Sequence, residues 1–226
     1  LENKYYNFLG LNLTIETLDG LLKHNGPVDN LDILNAIMKK DIFYGKIIFN
    51  QSPSLEAQVS AISDDIAYNN HDLEDGLRSG LFELKQLLAI PFVSKVVRKH
   101  IKNIKNFRKE IIISQITREL INHMVEDVIN QSKENLKKYK PSNINHIYQL
   151  TKPIISFSKE MKVIDKYIKQ FLSKKMYNNK KVLINTNKGK NIIKNLFNYI
   201  NNKPNKYINK TFFLNEEKER VVADFI

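Results

Sequence analysis

Apolar residues return every three or four positions along most of this chain, which is the spacing an α-helix needs to bury one face. In LNLTIETLDGLLKH (11–24), Leu11, Ile15, Leu18, Leu21 and Leu22 form such a stripe, and Asn12 or Thr14 can cap its start. NGP at 25–27 stops it. Pro53 suits the first turn of a helix running to about residue 79, expected at the centre of the fold and shielded by its neighbours. Pro91 breaks the next segment. The longest helix is expected over 109–138, with Ile113, Ile116, Leu120, Met124 and Val128 as its buried stripe. Pro141, Pro153 and Pro204 divide the remainder into helices near 142–150, 154–175, 187–201 and 215–225. A short extended piece is expected only near residues 44–49, in YGKIIFNQSP. Seven glycines and six prolines in 226 residues are few for a fold made of many tight turns. The expected class is all-α.

Charge divides the chain unevenly. Residues 1–90 hold 7 Lys/Arg against 13 Asp/Glu, a balance of −6, and residues 91–226 hold 29 against 11, a balance of +18. We therefore expect two regions, 1–90 and 91–226. A surface as basic as the second attracts polyanions, including single-stranded nucleic acid. The same stretch is crowded with Asn and Ile, so compositional bias of the coding sequence is the competing explanation. No apolar run approaches the ~18–20 residues of a membrane span, which points to no membrane. The absence of cysteine removes disulfide and thiolate chemistry and fits a cytoplasmic setting. LENKYYNFLG shows no secretory signal.

SAISDDIAYNNHDLEDG (60–76) carries the chemistry. It packs five carboxylates, a tyrosine and a histidine into seventeen residues. At about 100° per residue, Asp64, Tyr68, His71, Asp72 and Asp75 fall within an arc of about 100°. Leu55, Val59, Ile62, Ile66 and Leu73 lie opposite. Asp65 stands about 100° from Asp64, off the centre of the polar stripe. Ala57 and Ala61 continue the polar face as small residues, where another helix or a ligand can approach closely. A solvated amphipathic face is the plain alternative. Against it stand the mutual repulsion of carboxylates with no Lys or Arg before Arg78, and a tyrosine on a wet face. Carboxylates with a histidine suit hard divalent ions such as Mg or Mn. One helix face does not complete such a site, and His24, His100, His123 and His146 are not spaced as a motif.

SLEAQVSAISDDIAYNNHDLEDGLRSG (54–80) resembles the signature helix of the deoxyguanosinetriphosphate triphosphohydrolase-like branch of the HD-domain superfamily. GLNLTIETLDGLLKHNGP (10–27) resembles the segment before it. RELINHMVEDVI (118–129), FSKEMKVIDKYIKQFLSKKMY (157–177), IIKNLFNYI (192–200) and RVVADFI (220–226) resemble later helices in order. The resemblance implies an HD-type helical bundle, present in part, with additional C-terminal helices. Residues 1–90 would then be the C-terminal part of the catalytic domain.

That family hydrolyses a deoxynucleoside triphosphate such as dGTP to deoxynucleoside and inorganic triphosphate, using a divalent metal. Its ligands are a His, an adjacent His-Asp pair and a distant Asp. The resemblance makes Asp64 the distant Asp and gives Tyr68 and Asp72 to the substrate, with Lys23, Arg78 and His71 as further substrate-binding candidates. It implies a homo-oligomer, and some relatives bind single-stranded DNA. The sequence supplies no counterpart of the first His or the His-Asp pair, so the expectation is a fragment lacking that N-terminal segment and the extreme C-terminus. The competing reading is a catalytically incomplete helical scaffold that binds nucleotide, single-stranded nucleic acid or a partner chain.

Overall fold

The computed structural model describes residues 6–7, 11–28, 46–213 and 217–226, and among them there are helices and no strands. The first helix, α1 (Ile15–Leu22), is capped by Thr14, whose side chain accepts from the Thr17 amide. The central α2 (Leu55–Arg78) is capped by Ser54, which accepts from the Ala57 amide. Pro53 therefore sits one residue before the cap rather than in the first turn. Then come α3 (Leu84–Leu87), α4 (Val93–Ile101) and the long α5 (Lys109–Tyr139). After α6 (Ile144–Tyr148), α7 (Lys159–Leu172) ends in a single π turn over Ser173–Tyr177. The last two are α8 (Lys180–Asn202) and α9 (Lys218–Phe225).

Residues 46–50, where the extended piece was expected, form turns and bends, and residues 44 and 45 lie outside the described residues. The helix expected from 154 begins only at 159. Residues 153–158 are irregular because side chains of other helices, described below, satisfy their backbone.

The chain divides into two compact units, Leu1–Gln170 and Phe171–Ile226. The change of charge at residue 90 falls inside the first unit. There α2 lies along α5, with α4 also against α5, α3 against α4 and α1 across the start of α2. All five residues of the stripe expected on α5 are buried, joined by Ile112, Thr117 and Ser132. Ile66 meets Met124, Val128, Phe157 and Met161 in one apolar cluster. In the second unit, Ile200, Ile208 and Val222 form a separate small core with Phe197, Phe213 and Val221 around it.

The buried face of α2 differs from the aliphatic stripe read from the sequence. Ile66 and Leu73 are buried, but Val59 is 47% exposed, and Gln58, Asn69, Asn70, Gly76 and Leu77 take the remaining positions. The opposite face, with Asp64, Asp65, Tyr68, His71 and Asp75, is exposed. The helix is central but shielded on one side only. Gly76 is fixed by its neighbour, since the Phe82 ring occupies the space a Cβ would fill.

Candidate functional site

A cleft of about 520 Å³ opens beside the first half of α2. Ala61, Asp64 and Asp65 form one wall, and His24 to Pro27 form another. Residues 153 and 155–157, with Lys162 and Asp165 of α7, close the third side. The two alanines divide the roles expected of them. Ala57 receives α1, since a Cβ on Gly20 would stand 3.2 Å from the Ala57 Cβ, and Ala61 lines the cleft.

The wall at 150–158 is irregular backbone, so its polar groups need partners. Gln58, buried on α2, accepts from the amides of Ile154 (2.9 Å) and Ile155 (3.1 Å) and donates to the Pro53 carbonyl (2.9 Å). Asn135 of α5 donates to the Ile154 carbonyl at 2.7 Å. Asp127 accepts from the Ser158 amide at 2.8 Å, and the Ser158 hydroxyl accepts from the Met161 amide, which starts α7. Ser52 donates to the Leu150 carbonyl at 2.7 Å. The Asn69 amide donates to Asp165 at 2.6 Å and ties α7 to α2. These bonds set the position of α7 over the cleft.

Three carboxylates line the cleft, in two electrostatic states. Asp65 and Asp165 share the Lys169 ammonium, each at 3.1 Å. Burial lowers the Lys169 pKa, but the hydrogen bonds to the two carboxylates outweigh it and leave the pKa raised. Asp64 instead faces His24, whose Nε2 stands 3.5 Å from Oδ2, with both side chains partly exposed. Asp65 thus has a charge partner, while Asp64 points into the cleft beside an imidazole.

The other candidates lie elsewhere. Lys23 is buried, with its ammonium 2.6 Å from the Asp19 carboxylate and 5.6 Å from the centre of the Tyr148 ring. Burial raises the Tyr148 pKa, and the Asp19 charge adds to the rise. This pair anchors the C-terminal end of α1 and so places the next residue, His24, at the cleft. Arg78 is held by Glu74 (2.7 Å) and donates to Ser114 of α5 (2.9 Å). Tyr68 is 63% exposed one turn beyond Asp64, His71 is exposed, and Asp72 is half-buried two turns on. None of these three lines the cleft.

His24 is the residue that sequence spacing missed. It is 40 positions from Asp64, and only the crossing of α1 over α2 brings the two together. His100 and His123 belong to another group, around Glu119. There the Lys99 ammonium, at 2.8 Å, holds the carboxyl below its usual range against the opposing effect of burial, with help from His100 at 2.7 Å. His123 Nε2 stands 3.8 Å from the same carboxylate.

A divalent ion needs several converging donors. Among the described residues, no three His, Cys, Asp or Glu side chains converge as such a group. Asp64 and His24 by themselves therefore do not amount to a metal site. No helix among the described residues is long and apolar enough to cross a membrane.

Comparison with known proteins bears out the resemblance read from the sequence. Residues 155–226 match the phosphohydrolase-associated domain. Over its whole length the chain is 51% identical to a deoxyguanosinetriphosphate triphosphohydrolase-like protein of Pelagibacter ubique (strain HTCC1062), and it covers 61% of that protein. Proteins of the same name from Bartonella tribocorum (39% identical) and Rickettsia typhi (34%) also match all of the chain, which covers 59% and 60% of them. The chain spans about three-fifths of the length of these relatives.

Proposed function

We infer that this chain, related over its whole length to the deoxyguanosinetriphosphate triphosphohydrolase-like proteins, is the part of a dNTP triphosphohydrolase that supplies Asp64 and the cleft around it. The observation that carries this reading is the contrast between adjacent aspartates: Asp65 is neutralised by Lys169, whereas Asp64 faces the cleft with no lysine or arginine paired to it among the described residues. A carboxylate left this way is suited to share a divalent ion, Mg or Mn, with ligands from outside the described residues. Tyr68 and Asp72 continue the same face of α2 and would hold the deoxyribose of dGTP or another dNTP. His71 lies on that face too and would assist. The ion pairs of Lys23 and Arg78 give those two residues a structural role within this proposal.

A cytoplasmic location, where dNTPs are held, belongs to the same reading. So does assembly with further copies, for which α5 presents exposed Ile111, Val125, Ile129 and Leu136. A second reading, a scaffold that binds polyanions without turnover, is favoured by the incomplete ligand set and the +18 charge of residues 91–226.

The test is a pair of substitutions in the intact protein, with bound metal and triphosphate release from dGTP both measured. Asp64→Asn is expected to lose metal and turnover with the fold retained, and Asp65→Asn to keep metal. The opposite pattern would remove Asp64 from the site and, with it, the roles of Tyr68 and Asp72. An intact protein that binds dGTP but never releases triphosphate would establish the scaffold.

A further inference from the structure

We propose that Lys162 is the triphosphate-binding cation of the Asp64 cleft, with the His24 imidazole facing the same anion. The inference deepens the reading of this site as a dNTP site and rests on it. Lys162 lies on the first turns of α7, and it is the only lysine or arginine lining the cleft among the described residues. The cations considered for this site so far are committed: Lys169 to Asp65 and Asp165, Lys23 to Asp19, Arg78 to Glu74. Lys162 forms no ion pair among the described residues, although Asp165 lies one turn away on the same helix.

Asp65 and Asp165 already share Lys169, so among the described residues Lys162 is the unpaired cation of a cleft that Asp64 and the His24 imidazole also line. An anion entering the cleft meets two donors, Lys162 from α7 and His24 from the end of α1, as well as the hydroxyls of Thr151 and Ser156 on the wall between. Ammonium and imidazole donors spread over about 520 Å³ suit a chain of phosphates better than a single compact anion. Lys162 falls within the stretch that matches the phosphohydrolase-associated domain, as do Ile155, Ser156, Phe157 and Asp165 of the same wall.

The experiment titrates the intact protein with inorganic tripolyphosphate at low ionic strength and follows KM and kcat for dGTP in parallel. Losing one charge-assisted bond to phosphate is expected to weaken tripolyphosphate binding about tenfold in Lys162→Gln, with KM rising and kcat less affected. Lys162→Arg is expected to stay within about threefold of wild type. Lys133→Gln on α5, an exposed lysine that does not line the cleft, should bind as wild type. Unchanged affinity in Lys162→Gln, or an equal loss in Lys133→Gln, overturns the assignment by reducing it to general positive charge. If tripolyphosphate binding depends on Lys162 but no dNTP is turned over, the hydrolase reading fails and the Lys162 assignment stands. If dGTP is turned over and Lys162→Gln changes neither KM nor tripolyphosphate affinity, the Lys162 assignment fails alone.

Discussion

Lys23 shows how burial decides the meaning of a single charge. Its ammonium and the Asp19 carboxylate are both removed from water, so each depends on the other. Breaking a buried pair by removing one partner leaves an uncompensated charge, at a cost of about 3–5 kcal/mol. Lys23→Met is accordingly expected to lower the unfolding free energy by about 3 kcal/mol in urea denaturation, and Asp19→Leu combined with Lys23→Met to recover most of the loss. A double variant no better than the single one would show that the pair is not the reason for burial. The sequence could point to Lys23 only as a basic residue beside a motif. A helical wheel orders side chains around their own axis and does not say what crosses that axis, so it placed Asp64 on the polar, exposed face and left both His24 and the burial of Lys23 out of view. Asp65 was better legible. Its rotation from Asp64 is a local property of α2, and there it meets Lys169.

Helices were the most legible elements, because a period of 3.6 needs only neighbouring residues to be read. The start of α7 was displaced by five residues for the opposite reason. Pro153 to Ser158 has enough apolar residues to continue a helical pattern, but its backbone is paired with Gln58, Asn135 and Asp127, which lie 19 to 97 positions away. Gln58 is the keystone of this wall. Replacing it by Leu leaves the buried Ile154 amide and the partly buried Ile155 amide without an acceptor, at about 1–3 kcal/mol for the buried one and less for the other. Gln58→Leu is expected to lower Tm and to make these two amides exchange with solvent faster than those of α2. Full protection at both amides would show that the wall stands without the glutamine. The aliphatic stripe assigned to α2 was displaced for a related cause: polar Gln58, Asn69 and Asn70 are buried because each has a hydrogen-bond partner across the interface or along the helix.

Over the whole molecule, charge and packing follow different divisions. Contacts separate the units at 170/171, while the sign of the charge changes at residue 90, within the first unit. The stretch 166–215 contains twelve lysines and no acidic residue, so most of the second unit is uniformly basic. If this charge serves a polyanion, binding of single-stranded DNA should release condensed counterions and weaken steeply, by about 10³-fold or more between 50 and 200 mM salt where six or more phosphates are contacted. Binding indifferent to salt, or absent at low salt, would leave compositional bias as the explanation. The wall of the cleft has a further consequence, in time rather than in space. Gln58 meets Ile154 and Ile155 across 96 and 97 positions, and Asn69 meets Asp165 across 96. A ribosome adding about 5–20 residues per second leaves α2 waiting about 5–20 s for those partners to be made. During that interval Asn69 and the Gln58 oxygen have only water or a chaperone to bond to, so the segment carrying the chemistry is made well before the wall that completes it.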